Sequence, residues 1–365
     1  MTTLLAALIV FGVLITVHEL GQFAAAKLVG MQVDEFAIGF GPKLYQTEEK
    51  GTVYTLRALP LGGFNRIAGM EPGEENVENG FHTKPLWARM VVILAGVTMN
   101  FLLPLLLFFG IFFFHGTETP VNEPVLGRVM DHQPASDAGL MKGDRIISIN
   151  GTKLSAWTDV STLIQEAGSK KSTLVIQRGG KTLEKTLIPQ FDQEAGRYLI
   201  GVMPTLEKRP LGLSESVRYA VLTEGRIMKG MVDGLRQILT GKAGVNVAGP
   251  IGVAQMAGSV AQEGMIPFLT FIAFLSLNLG ILNLIPIPAI DGGQFLILAV
   301  EGILRHPLPP KSKVRVQLVG VALILGLTIY ATISDILRLG VVIWKEEKRG
   351  KYRSVLSPLA AAIPS

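Results

Sequence analysis

Four stretches of this chain stay apolar for about the 20 residues that a helix needs to cross a lipid bilayer. They run over about 4–28, 90–114, 266–285 and 316–333. A chain with four such stretches must fold around a membrane, and the rest of it has to fit between the crossings. The first stretch has no charged residue from 4 to 17 and then breaks its own pattern with His18 and Glu19. No Lys or Arg precedes it, which predicts a retained helix rather than a cleaved signal sequence.

The remaining charge has to be placed. The chain has 34 Lys+Arg and 29 Asp+Glu, and charged residues make up 17% of it. Ordinary soluble domains carry about 25%. That is too little charge for a soluble enzyme or a nucleic-acid-coating protein, and too much for a bare helical bundle. Most of the surplus lies in the segment 120–262 and in the loops. The chain therefore reads as a polytopic α-helical membrane protein with about four transmembrane helices and an inserted soluble domain, and with no nucleic-acid partner. With 0 cysteines, disulfides, thiolate metal sites and Cys nucleophiles are excluded.

Lys27, Lys43, Lys50, Arg57, Arg66 and Lys84 fall in the first connection, and Arg305, Lys311 and Lys313 in the third. The positive-inside tendency places both connections in the cytoplasm, with the insert and both termini outside. The basic tail after Trp344 pulls the other way, and two loops outweigh it.

Within the insert, short β-like runs alternate with turn signals over 125–188. Strands are expected at 125–130 and 145–150, the second closed by Asn150-Gly151, with short helices at 136–141 and 158–167. A hairpin is expected around Gly179-Gly180. The run Pro134-Ala135-x-x-Ala138-Gly139-Leu140-x-x-Gly143-Asp144-x-Ile146 resembles a bacterial PDZ domain, giving a mixed α/β fold over roughly 122–204. That resemblance implies a groove for an extended peptide C-terminus. A rigid spacer or size filter fits the same residues. Residues 213–239 have the spacing of an amphipathic helix with Arg218, Arg226, Lys229 and Arg236 on its polar side. Such a helix can lie in a membrane surface or pack on protein.

Ionisable groups at membrane depth are expensive and by default mark function. His18-Glu19-x-x-Gln22 is a metal-binding H-E-x-x-H helix with Gln where the second His belongs. Alone, it fits a structural histidine as well as half a metal site. The third apolar stretch ends in Asn283-Leu284-Ile285-Pro286-Ile287-Pro288-Ala289-Ile290-Asp291-Gly292-Gly293. Irregular backbone there survives only against protein or a wet cavity. Asp291 can cap the next helix, or share a metal with the His18 helix.

Together these features resemble the site-2 protease family of intramembrane zinc metalloproteases, in the bacterial form with a single PDZ-like domain. The resemblance spans about 4–340. It also rests on Gly39-Phe40-Gly41-Pro42, on Leu59-Pro60-Leu61-Gly62-Gly63-Phe64, on Ala95-Gly96 with Asn100, and on Gly249-Pro250-Ile251-Gly252. It implies one zinc per chain, with His18 and Asp291 as ligands, Gln22 in the place of the second His ligand, and Glu19 as general base and acid. It implies a membrane-dipping hairpin around 53–56 with a loop over 60–64, including Gly62 and Gly63, whose edge pairs with substrate. Asn283, Pro286 and Pro288 would hold substrate near the metal. Asn100 would do likewise or pack helices.

The implied substrates are transmembrane segments of single-pass membrane proteins, such as anti-sigma factors, and also signal-peptide remnants. The implied setting is the bilayer of a bacterial inner (cytoplasmic) membrane, with the PDZ-like domain on the extracytoplasmic side. Gln22 departs from the pattern, because a carboxamide oxygen is a poor zinc ligand. A deliberate change, a naturally inactive member that binds segments without cutting, and a weakened enzyme all remain open. The expected division is 1–119 with the metal-motif helix and hairpin, 120–205 PDZ-like, 206–262 amphipathic helix and connector, 263–342 with the Asn-Pro-Pro-Asp run, and a flexible basic tail at 343–365.

Overall fold

The computed structural model describes residues 2–70, 77–193, 196–242 and 248–360. Two compact units emerge, one from Met1–Gly110 with Val217–Ser365, the other from Ile111–Ser216.

The first unit begins with α1 (Thr2–Leu28), which runs without interruption through His18 and Glu19. An antiparallel hairpin follows, β1 (Val33–Glu49) paired with β2 (Thr52–Ile67). Pro60, Gly62 and Gly63 signal a loop, yet the structure carries strand β2 straight through them. The pairing absorbs them through register shifts between Ile38 and Tyr45. Gly62 has φ 124°, and a Cβ there would lie 2.7 Å from Ile15 Cβ. Only glycine lets the strand lie this close along α1. Helix α2 (Leu86–His115) follows, with Pro104 inside it.

The second unit is mixed α/β. Strands β3 (Thr117–Pro120) and β4 (Leu126–Val129) precede α3 (Pro134–Asp137). Helix α3 starts earlier and is shorter than the 136–141 expected, because Pro134 is well placed in a first turn and poor further in. Then come β5 (Arg145–Ile149), β6 (Thr152–Lys153), α4 (Trp157–Ala167), β7 (Ser172–Arg178) and β8 (Lys181–Leu187). The four-stranded sheet has the order β6-β5-β7-β8. Short strands β9 (Gln190–Asp192), β10 (Arg197–Leu199), β11 (Val202–Pro204) and β12 (Leu206–Arg209) form separate two-stranded sheets, β9 with β10, β11 with β4 and β12 with β3. Leu126, Ile146, Ile149, Leu174 and Ile176 are fully buried and meet Val160 and Ile164 of α4. Arg178 clamps Asp144 with two hydrogen bonds of 2.7 Å and reaches Gly139 O at 2.8 Å. Burial alone would raise the Asp144 carboxyl, but Arg178 and the Met141 N–H hold it below the usual carboxylate range.

Helix α5 (Leu213–Leu239) has the bounds its spacing predicts. The connector that follows it holds a helix not foreseen, α6 (Pro250–Glu263). Helix α7 (Met265–Leu284) stops where Pro286 forbids it to continue, and Ile285 before that proline is extended (ψ 137°). Helix α8 (Asp291–Leu304) begins on Asp291, whose charge suits a helix N-terminus. Helix α9 (Pro310–Ala360) runs on through the basic segment. The expected flexible tail at 343–365 is thus helical to 360, and 361–365 lie outside the described residues. Among the described residues, four helices, over 2–28, 86–115, 265–284 and 311–338, are long and apolar enough to cross a membrane.

Two polar ties hold the C-terminal helices. Asp335 of α9 accepts the N–H of Gly249 (3.1 Å) and of Gly252 (2.8 Å), capping α6 from another helix. Glu301 of α8 accepts from Lys313 (2.6 Å), Leu308 N (2.9 Å) and Arg89 (3.5 Å).

Candidate metal centre and active site

Helix periodicity puts His18 and Gln22 one turn apart on the buried side of α1. The turn after Pro288 brings Asp291 to them across 269 positions of sequence. His18 Nε2 lies 3.1 Å from Asp291 Oδ2. Gln22 Nε2 donates to Asp291 Oδ1 at 3.2 Å and lies 3.2 Å from His18 Nε2. The close approach of α2 is what makes this possible. A Cβ on Gly96 would sit 2.6 Å from His18 Cε1 and Nε2, so only glycine leaves room for the ring. On its far side His18 Nδ1 lies 3.0 Å from Asn100 Nδ2.

Glu19 is held from the hairpin. Asn65 of β2 donates its backbone N–H (3.1 Å) and its Nδ2 (2.5 Å) to Glu19 Oε2. The same Nδ2 reaches Gln22 Oε1 at 3.4 Å. Asn65 also lines a cavity of ≈ 620 Å³, together with Glu35, Arg57, His82, Gln294 and Lys313. At its wall Arg57 and Thr55 each hydrogen-bond Glu35 Oε1 at 2.7 Å. Burial works to raise the Glu35 carboxyl, and these two bonds overcome it, so the group sits below its ordinary range.

The structure thus gathers His18, Glu19, Gln22, Asp291 and Asn100. It does not gather everything the sequence singles out. Among the described residues, no hydrogen bond joins Asn283, Pro286 or Pro288 to that group. Pro286 is exposed, and Asn283 and Pro288 are half-buried. Gly62 and Gly63 serve close packing, against Ile15 and Ala37. Sequence reasoning missed Asn65 and Ser276. Ser276 Oγ donates to Asn100 O at 2.8 Å.

Asp291 Oδ2 is buried and accepts no hydrogen bond, the condition of a carboxylate oxygen awaiting a cation. His18 Nε2 faces that oxygen. These two fit. Among the described residues no group of three His, Cys, Asp or Glu converges, and Gln22 is the side chain that stands beside the pair. As placed, Gln22 presents its amide nitrogen. Its oxygen can complete the set only if the amide turns and gives up its bonds to Asp291 and Asn65.

The family model for peptidase family M50 matches residues 6–327. A putative zinc metalloprotease of Fusobacterium nucleatum subsp. nucleatum is 36% identical over 349 residues, covering 92% of this chain and 99% of that protein. The regulator of sigma-W protease RasP of Bacillus subtilis is 31% identical, covering 92% and 99%. Two solved PDZ-domain chains are similar to a part of this chain. The one from Listeria monocytogenes has a TM-score of 0.21 and 20% identity and covers 24% of this chain and 93% of its own. That from Listeria innocua has a TM-score of 0.22 and 18% identity and covers 25% and 100%. The chain belongs to peptidase family M50, the site-2 type of metalloprotease. It is a multi-pass membrane protein with an inserted α/β domain.

Proposed function

We propose that this chain is an intramembrane zinc metalloprotease with a metal site weakened at Gln22. Its substrates are transmembrane segments of single-pass proteins, anti-sigma factors and signal-peptide remnants among them. The observation that carries this reading is the meeting of His18, Gln22 and Asp291 beside Glu19, on the membrane-capable helix α1 and at the start of α8. The Bacillus subtilis relative, by name a regulator of sigma-W protease, supports the anti-sigma class. The setting is the bacterial inner membrane with the PDZ-like domain outside. A substrate already shortened outside passes that domain, by size or by its new C-terminus.

Zinc held by His18, Asp291 and the turned Gln22 would polarise the scissile carbonyl and acidify its bound water to a pKa of about 7. Glu19 takes the proton from the attacking water and passes it to the leaving amine. Asn65 fixes Oε2 of Glu19 and so leaves Oε1 for that proton. The cavity beside Asn65 brings water to Glu19. Helical substrates hide their peptide bonds in internal hydrogen bonds, so they must unwind. The outer edge of the β1–β2 hairpin offers backbone partners for the unwound segment. Asn283, Pro286 and Pro288 border its path, and their contacts to it form only with substrate bound.

A second reading has one observation in its favour. The Gln22 amide nitrogen bonds to Asp291 and faces His18, as a neutral stand-in for a cation. A protein locked in that state would bind transmembrane segments without cutting. Cleavage of a single-pass reporter in detergent micelles separates the two. The weakened enzyme gains activity with Gln22→His and loses it again with Glu19→Gln added. If Gln22→His cuts nothing at any zinc concentration, the protease reading fails for this chain.

A further inference from the structure

Cutting a peptide at membrane depth changes its charge. The bond is neutral, and hydrolysis turns it into a carboxylate and an amine. A carboxylate in an apolar setting is costly unless it meets a cation or water. Something beside the site has to receive it.

The cavity of ≈ 620 Å³ beside Asn65 has the lining for that group. It adjoins the site on two sides. Asn65 holds Glu19, while Ala289 and Gln294 flank Asp291 in sequence, and all three line the cavity. Arg66, also in the lining, is exposed, so the cavity opens to solvent. Its charges are unequal, with Arg57, Arg66 and Lys313 against Glu35. Glu35 is already bound by Arg57 and Thr55. Donors are left over. Arg57 gives its terminal nitrogens to Glu35 and Gly41 O, and its Nε is buried without a partner. Lys313 pairs with Glu301, and an ammonium has three donors. The lining also holds Phe64, Ile67, Ile297 and Leu298, which suit apolar side chains, and the amides of Gln294 and Gln317, which suit a bare backbone.

The side of the membrane agrees with the sign of the charge. Arg57 and Arg66 belong to the first connection and Lys313 to the third, both cytoplasmic in the setting proposed above. A substrate shortened outside has its C-terminus outside and its N-terminus inside. The fragment that leaves inward therefore ends in the new carboxylate, and the amine stays with the outer stub.

We propose that this cavity is a product site, where Arg57, Arg66 and Lys313 take the new C-terminal carboxylate of the cytoplasmic fragment and lead it to water. The source of that carboxylate rests on the metalloprotease reading. The preference of the cavity for a peptide carboxyl terminus needs neither metal nor cleavage.

The test is fluorescence anisotropy on the full-length parent protein in neutral detergent micelles with EDTA. The probe is a short dye-labelled Leu/Ala peptide with a free C-terminal carboxylate, beside the same peptide ending in an amide. The acid binds about 10-fold more tightly than the amide. Arg66→Gln combined with Lys313→Gln brings the acid down to the amide, a loss of about 10-fold, and leaves the amide unchanged. Glu301 keeps Arg89 and the Leu308 N–H in that protein. Arg66→Gln alone, at an exposed position, weakens the acid about 3-fold. Arg128→Gln, an exposed cation of the inserted domain, changes nothing. Equal binding of acid and amide overturns the proposal. So does unchanged acid binding in the double variant, since the carboxylate is then held elsewhere, the inserted domain included. Displacement of the acid by equimolar phosphatidylglycerol makes the cavity a lipid site and overturns it too. If Gln22→His cuts nothing while acid and amide still differ, the protease reading falls and the cavity stands as a site for peptide carboxyl termini. If Gln22→His cuts and the two peptides bind alike, the protease reading stands and the product site falls.

Discussion

Asn65 holds Glu19 with two donors on one oxygen. Its backbone N–H lies 3.1 Å and its Nδ2 2.5 Å from Glu19 Oε2. Glu19 of helix α1, the general base we propose, is therefore positioned by strand β2, 46 residues away. Asn65→Ala removes the side-chain bond and spares the backbone one. Misplacing a catalytic group by about 1 Å can lower a rate by about 100-fold. We expect Asn65→Ala in a Gln22→His background to cut a transmembrane reporter about 10- to 100-fold more slowly. Its zinc content should stay that of the Gln22→His protein, since Asn65 touches no proposed metal donor except through Gln22.

Gly96 sets the room available to His18. Gly96→Val places a branched side chain where the ring stands, 2.6 Å or less from its Cε1 and Nε2. The ring must leave, and with it the strongest nitrogen donor of the site. Metal analysis of Gly96→Val in the Gln22→His background should show zinc lost, with the membrane-inserted protein still recovered.

The Asp144–Arg178 clamp predicts acid sensitivity in the inserted domain. The folded carboxyl titrates below its ordinary value of 3.8. A depressed carboxyl contributes stability that is fully present above the unfolded pKa and is lost as pH falls through the folded one. Hydrogen exchange across 126–187 in the full-length protein should therefore quicken as pH drops from about 5 toward 2, after correction for intrinsic exchange. Arg178→Met leaves the buried carboxylate without its partner, at a cost of about 3 kcal/mol. In that variant the quickening should already be present at neutral pH.

Asp335 caps α6 from α9 through Gly249 and Gly252. Asp335→Ala removes both bonds and the favourable charge at a helix N-terminus, at a cost of about 1–2 kcal/mol. Thermal unfolding followed in detergent should shift down by a few degrees. Asp335→Asn, which keeps an acceptor, should recover about half of the shift.

The pattern of long apolar stretches marks the four crossings to within a few residues, because bilayer thickness constrains length directly. The His18 to Asp291 meeting was legible from the residues as one of two alternatives, and resemblance favoured it, since no spacing rule joins two groups on separate helices. Gln22 was legible as a departure, but not the way its nitrogen turns toward Asp291. Asn65 was missed because it is one polar residue in a strand, and its importance comes from where tertiary packing lays that strand. It stands directly after Gly62-Gly63-Phe64, a run the sequence had already singled out. Asp335 had a clearer signal. It is an acidic residue two positions past the apolar stretch at 316–333, and the reasoning applied to Asp291, which also follows such a stretch, selects it as well. Pro60 to Phe64 misled because Pro and Gly usually mark turns, while here α1 supports the strand through them.

On the proposed reading, His18 and Asp291 form a metal site limited by the residue at position 22. Zinc per chain, measured by mass spectrometry on the purified full-length protein and on Gln22→His, decides it. We expect well below one zinc per chain in the parent and about one in Gln22→His, abolished again by Asp291→Ala. Equal zinc in the parent and Gln22→His, whether none in either or one in both, would contradict it.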